Sequence, residues 1–193
     1  MKTIIVTIIL CLFITGCGKK EYKPVRITIN KDGTFLVDSK PSNISLLKKH
    51  LTDIMAEKGM NLPIIFIADG TTLFTVVEPV LLASAEAHAI YFNFQIAGTT
   101  KVEKCNSNFY PASRPPRSTI NLEIKNNLFY IDNEKKSNTE ITSLLSEKLD
   151  SKNIGLVLIS CSGRTTFGTF YKFIEQCNQS EHVSAELQIM DKL

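Results

Sequence analysis

The sequence predicts an α+β fold made of two tandem ββαβαβ repeats, each a small mixed sheet with two helices on one face. Three observations predict it. The same order of hydrophobic patterns occurs twice, about 94 residues apart. Apolar residues alternate on either side of short polar turns, and others recur at helical spacing. The predicted boundaries are a signal peptide over 1–16, a tether over 17–24, repeat 1 over 25–96, a linker over 97–118 and repeat 2 over 119–190.

The amino terminus has the pattern of a secretory signal. Lys2 precedes an uncharged run from Thr3 to Gly18, which is shorter than the ~20 apolar residues of a membrane-spanning helix. The run ends in Ile14-Thr15-Gly16-Cys17, which resembles the bacterial lipobox and implies cleavage before Cys17 and acylation of its thiol, for example with palmitate. The alternative is an uncleaved, short membrane anchor. In both cases we expect an envelope protein exposed to the periplasm, and the sequence does not select the inner or the outer membrane.

The first copy begins with a predicted hairpin, VRITINKDGTFLVD, which turns at Lys31-Asp32-Gly33. An amphipathic helix, a strand apolar on both faces, a second helix and a last strand follow. In order, they are defined by Ile44, Leu47, Leu51 and Ile54; by PIIFIAD from Pro63; by Leu73, Val76, Val77, Val80 and Leu81; and by Ile90 to Phe94.

The second copy repeats this order, beginning with the hairpin INLEIKNNLFYID. Its first helix follows Ser137-Asn138-Thr139-Glu140, which has the spacing of a capping box. The remaining elements are defined by Ile141, Leu144, Leu145 and Leu149; by GLVLISC from Gly155; by Phe167, Phe170, Tyr171 and Ile174; and by Ser184 to Ile189. Between the copies, Pro111, Pro115 and Pro116 favour an extended linker.

The order of motifs in the first copy resembles the periplasmic domain of the ExbD/TolR biopolymer-transport proteins. The residues that carry the resemblance are Ile27, Ile29, Asp32, Gly33, Asp38, Leu47, Leu51, Ile67, Ala68, Asp69, Phe74, Val76 and Val77. The resemblance implies dimerisation and binding of peptidoglycan or a protein partner, in or near an energy-transducing complex of the ExbB/TolQ type. Two copies in one chain suggest a repeat-repeat pseudo-dimer, because a short linker keeps them at high effective concentration.

One departure from that family limits the role. Family members carry a membrane-embedded aspartate that couples to proton flow, whereas Lys2 to Cys17 contains no acidic residue. The chain is therefore not expected to act as a proton-driven subunit by itself. Its formal net charge of +3 is dispersed, without the basic stripe of a nucleic-acid-binding protein.

The candidate partner-binding residues are Asp69, Phe74, Phe109 and Tyr110. Asp69 ends the core strand of the first copy, where a carboxylate either meets a ligand or, with Thr71 and Thr72, caps the next helix. Phe109 and Tyr110 lie in the linker and either bind a partner or pack against the neighbouring domain.

Cysteine chemistry offers an alternative function. Once Cys11 leaves with the signal and Cys17 carries lipid, Cys105, Cys161 and Cys177 remain, and their spacing selects no disulfide. Cys161, before Ser162-Gly163-Arg164, is the candidate nucleophile of a thiol enzyme.

The expected function is nevertheless non-catalytic. The histidines, His50, His88 and His182, fit neither a nucleophile motif nor metal-ligand spacing, so no catalytic residue, metal or cofactor is predicted. The first alternative is a general scaffold or surface lipoprotein that shares only a fold with ExbD/TolR, and the thiol enzyme comes after it.

Overall fold

The computed structural model describes residues 22–59, 62–108, 119–147, 155–179 and 183–188. The predicted signal peptide, Cys17, Phe109, Tyr110 and His182 lie outside the described residues. The described residues form twelve strands and four helices. The strands are β1 Val25–Ile29, β2 Phe35–Val37, β3 Lys40–Ser42, β4 Ile64–Ala68, β5 Phe92–Ile96, β6 Glu103–Lys104, β7 Asn106–Asn108, β8 Thr119–Lys125, β9 Leu128–Ile131, β10 Glu134–Lys136, β11 Gly155–Ser162 and β12 Val183–Gln188. The helices are α1 Ile44–Lys58, α2 Phe74–Glu86, α3 Asn138–Glu147 and α4 Phe167–Gln179.

The strands form two mixed sheets of six, so the predicted α+β class is confirmed. The strand orders are β3-β2-β1-β4-β5-β6 and β10-β9-β8-β11-β12-β7. In each sheet three central strands are parallel, β1-β4-β5 in the first and β8-β11-β12 in the second. We call residues 22–104 the first half and residues 106–188 the second half.

The connections place both helices of the first half on one face of its sheet. The chain passes from β1 through α1 to β4 and through α2 to β5, moving the same way across the sheet each time. When successive crossovers are right-handed, as is usual, and proceed in one direction across a sheet, their helices lie on the same face of that sheet. The second half repeats this order from β8 through α3, β11 and α4 to β12.

The core lies between this sheet face and the helices. Ile27, Phe66 and Phe94 are neighbours across β1, β4 and β5 and are fully buried. Leu47 and Leu51 of α1 are also fully buried, as their helical spacing predicts. All five residues of β4 are buried, which explains why this strand is apolar on both faces.

In each half, a third strand follows the first hairpin and pairs with it, and the sequence pattern did not predict this strand. β3 and β10 are only three residues long and follow two-residue turns with left-handed backbone at Asp38-Ser39 and Asp132-Asn133. Such turns match the twist of the paired strands and tolerate Asp and Asn. β5, the predicted last strand of the first copy, starts at Phe92 and not at the predicted Ile90.

Part of the predicted linker belongs to the sheets. β6 pairs antiparallel with β5, and β7 pairs parallel with β12. A single segment, 103–108, therefore covers the outer edge of β5 in one sheet and of β12 in the other, so that each sheet ends in a strand of only two or three residues.

The predicted capping box at the start of α3 is confirmed. The Ser137 N–H donates to Glu140 Oε2 at 2.7 Å, and the Glu140 N–H donates to Ser137 Oγ at 3.2 Å. Within the described residues, no helix combines the length and the apolar character needed to cross a bilayer.

Candidate functional site at the junction of the two halves

The candidate site lies at the carboxyl ends of β4 and β11. In a sheet with parallel strands this end is where loops carry ligand-binding side chains. The loop from Asp69 to Leu73 leads from β4 into α2, and the loop from Gly163 to Thr166 leads from β11 into α4. The two loops meet in an antiparallel bridge between Leu73 and Thr166, which we call the junction.

Two reciprocal backbone hydrogen bonds hold the junction. The Phe74 N–H donates to the Thr165 carbonyl, and the Phe167 N–H donates to the Thr72 carbonyl, both at 2.7 Å. These N–H groups belong to the first residues of α2 and α4, where a helix has no internal acceptor. Each helix start is thus satisfied by the other half of the chain.

A third backbone bond brings two glycines together. The Gly168 N–H donates to the Gly70 carbonyl at 2.8 Å. A Cβ atom on Gly168 would lie 2.7 Å from that oxygen, closer than any normal contact. Glycine at 168 is therefore required by the approach of the two backbones.

Aromatic rings fill the space behind the junction. The Phe170 ring meets the rings of Phe74 and Phe94 edge-on, with a centroid separation of 4.9 Å in each case. The centre of the Phe167 ring lies 6.1 Å from that of the Phe94 ring. Phe74, a candidate partner-binding residue, is only 4% exposed, so its ring lies in the contact between the halves and not on an outer surface.

A second contact joins α4 to β6 and to Lys101, two residues before it. The Tyr171 hydroxyl donates to the Lys101 carbonyl at 3.0 Å, and Asn178 Nδ2 donates to the Glu103 carboxylate at 2.7 Å. Lys101 forms ion pairs with Glu103 and Glu175, and its pKa is raised, first by hydrogen bonding to Glu175 and then to Glu103. The halves therefore meet along α4 as well as at the junction.

Asp69 is exposed beside the junction and shapes its own loop. Its Oδ1 accepts hydrogen bonds from the Thr71 N–H at 2.8 Å and the Thr71 hydroxyl at 2.7 Å. These bonds, together with Lys31 at 3.4 Å, lower the pKa of the carboxyl. The expected helix cap is not formed, because Leu73 occupies the N-cap position of α2 and makes no side-chain cap bond.

The sequence predicts Asn126-Asn127 as a hairpin turn, but it did not predict that these two asparagines organise the second loop. Asn126 and Asn127 form the left-handed turn between β8 and β9. Asn126 Oδ1 accepts from the Arg164 N–H, and Asn127 Oδ1 accepts from the Thr166 N–H, both at 2.8 Å. The Asn-Asn pair was a visible turn signal, but its tertiary partners lie about 39 residues away.

No protein-family model matches the chain, and no curated protein matches it at a significant level.

The thiols are placed differently from what the enzyme alternative needs. Among the described residues, Cys105, Cys161 and Cys177 form no disulfide. Burial raises the pKa of the Cys161 thiol well above its usual range and that of Cys177 to about 12. An activated thiol nucleophile requires the opposite shift.

The histidines of the described part of the chain, His50 and His88, are exposed and lie apart on α1 and just after α2. Among the described residues, no three His, Cys, Asp or Glu side chains come together as a metal site. The chemistry that the junction offers is therefore hydrogen bonding and packing between the two halves, with exposed polar groups at its rim.

Proposed function

We propose that this chain is a lipid-anchored, non-catalytic envelope protein whose two ExbD/TolR-like halves pair within one polypeptide. The pair binds peptidoglycan or a protein partner in or near an energy-transducing transport complex of the ExbB/TolQ type. The anchor is the acylated Cys17, and the paired halves project into the periplasm.

The reciprocal junction is the observation that carries the proposal. Phe74 and Phe167 occupy equivalent positions at the starts of α2 and α4. The Phe74 N–H bonds to the carbonyl two residues before Phe167, and the Phe167 N–H bonds to the carbonyl two residues before Phe74. This is the contact expected of a two-fold dimer, in which the same patch contributes from both partners. A family that works through paired periplasmic domains would gain such a pair without a second chain.

The order of elements supports two copies of one unit. Both sheets place three parallel strands beside an antiparallel hairpin, and both cover them with two crossover helices. In the first copy, residues that carry the family resemblance have structural roles: Ile27 and Ile29 are buried in β1, and the turn at Asp32-Gly33 follows it.

The anchor is tested by the intact mass of protein extracted from membranes. We expect a mass of Cys17 to Leu193 plus two or three acyl chains. An unprocessed, unlipidated Met1 form would contradict the anchor and would favour a retained membrane segment.

The binding role is tested with the extracted, lipidated protein. We expect it to sediment with purified peptidoglycan or to be cross-linked in membranes to a channel-type partner. A general scaffold or surface lipoprotein would do neither, and both negative results would refute this role. A thiol enzyme would instead show stoichiometric labelling of Cys161 at mildly acidic pH, against which the raised pKa of that thiol weighs.

A further inference from the structure

One edge of the first half lies next to the tether. The Val25 N–H donates to the Pro63 carbonyl at 3.1 Å, and the Ile64 N–H donates to the Tyr91 carbonyl at 3.0 Å. These bonds place the amino ends of β1, β4 and β5 side by side. The edge at which these strands begin is therefore also the edge at which the chain arrives from Cys17.

This edge is aromatic and basic. Tyr22 and Tyr91 are 39% and 40% exposed. The Lys58 ammonium, at the end of α1, lies 5.9 Å from the centre of the Tyr22 ring, which ties the tether to the body of the first half. We define the tether edge as Tyr22, Lys23, Lys58, His88, Tyr91 and Lys104, the last paired with Asn93 at the start of β5.

Nearby carboxylates do not cancel this charge. Asp38, Glu57 and Glu86 lie at the same end of the first half, and Glu86 is ion-paired with Lys48. Among the described residues at this end, Arg26 and Lys40 add to the three lysines of the tether edge, which gives five cations against three carboxylates. The edge therefore carries an excess of positive charge.

The length of the tether keeps this edge close to the membrane. Tyr22 is five residues from Cys17, so even a fully extended chain separates them by no more than about 17 Å. Headgroups extend several ångströms beyond the hydrocarbon core, and electrostatic attraction acts over about 8 Å at physiological ionic strength. A lipid-bearing Cys17 would hold the tether edge within reach of the headgroups.

We propose that the tether edge docks on the anionic headgroup layer of the membrane that holds the acyl chains, which fixes the orientation of the paired halves. Tyrosine suits the membrane interface, because its ring enters the headgroup region while its hydroxyl stays hydrated. Each lysine at an anionic surface shifts the docked population about fivefold. This inference rests on the proposed lipid anchor.

The test uses the full, lipidated protein in liposomes. Amide hydrogen exchange is compared in phosphatidylglycerol-rich vesicles, in phosphatidylcholine vesicles and in detergent. We expect residues 57–59 and 88–92 to be protected in the anionic vesicles only, while residues 137–144 of α3 exchange equally in all three.

The double variant K58E/K104E should reduce the docked-to-undocked ratio at least about 25-fold. K135E/K172E makes the same charge change at exposed lysines of the second half and should leave protection intact.

The outcomes separate the docking from the anchor. Equal exchange of the tether edge in all three media, from a protein whose mass shows acylation, would overturn the docking and leave the anchor standing. Equal loss of protection in both double variants would also overturn it, because the effect would then be one of net charge. A mass without lipid would refute the anchor and the docking together.

Discussion

Adding one methyl group at Gly168 should loosen the two halves from each other. The new Cβ would lie 2.7 Å from the Gly70 oxygen, 3.2 Å from its Cα and 3.3 Å from its carbonyl carbon. All three are backbone atoms, so the contact cannot be relieved by rotating a side chain. The two backbones must separate, which also lengthens the Gly168 N–H to Gly70 hydrogen bond of 2.8 Å.

The magnitude follows from these contacts. Overpacking costs about 1–3 kcal/mol and a lost hydrogen bond about 1 kcal/mol, while alanine gains up to about 1 kcal/mol over glycine in a helix. We therefore expect Gly168→Ala to lower the free energy of unfolding by about 1–3 kcal/mol. In a chain of this size that corresponds to a lowering of Tm by roughly 3–10 °C.

Gly70→Ala is the matched control. Its Cβ would meet only Gly168 Cα at 3.8 Å and Ile96 Cδ1 at 3.9 Å, which are ordinary contacts. We expect a change within about 0.5 kcal/mol. Urea unfolding followed by far-UV circular dichroism and tyrosine fluorescence measures both variants, since the chain has no Trp. A Gly168→Ala protein as stable as the wild type, or equal losses in the two variants, would refute the reasoning.

Three further predictions concern single side chains. Asn127→Ala should lower the free energy of unfolding by about 2 kcal/mol, because it loses the bonds to the second loop and strains a left-handed residue. Asn127→Gly should lower it by only about 1 kcal/mol, and equal costs in thermal unfolding would argue against the backbone contribution. Ser137→Ala should cost about 1 kcal/mol of unfolding free energy. The Ser137 N–H and then its hydroxyl lower the pKa of Glu140, and since alanine removes only the hydroxyl, wild type should lose part of this advantage as the pH falls below 4.5; an unchanged acid limb of the stability curve would contradict it. Burial raises the pKa of Cys177 from 9.0 to about 12, so its contribution to the free energy of unfolding should be complete below pH 9 and fall as the pH rises towards 12. Cys177 should resist iodoacetamide at pH 8 until urea is added, and rapid labelling of Cys177 itself in the native protein would contradict its burial.

Local patterns in the sequence predicted the helices and the central strands well. Leu47 and Leu51 face the core because their spacing follows the turn of a helix, and Ser137 with Glu140 marks a helix start through bonds only three residues apart. β3 and β10 were not predicted because three residues, two of them exposed, are too few to show an alternating pattern.

The junction depends on contacts that no local pattern encodes. Phe74 and Phe170 were visible as apolar residues on two helices, but nothing in the spacing showed that their rings meet. Gly168 was hidden for the same reason, since the requirement for glycine comes from Gly70 in the other half. Asp69 was correctly placed at the end of β4. Its carboxylate accepts from the nearby Thr71 N–H and closes a turn, and it therefore does not cap α2.

The pairing of the halves within one chain is tested most directly by an engineered disulfide between Leu73 and Thr166. The two flanking bonds, from Phe74 to Thr165 and from Phe167 to Thr72, make Leu73 and Thr166 a non-hydrogen-bonded pair of the antiparallel bridge. Cα atoms in such pairs lie about 4.5 Å apart, within the range that a disulfide bridges. Full-length L73C/T166C is oxidised, digested and mapped by mass spectrometry, and its intact mass is measured without reduction. We expect a cross-linked peptide joining positions 73 and 166 in a protein of monomeric mass. Disulfide-linked dimers, or two free thiols at these positions, would contradict a pair formed within one chain.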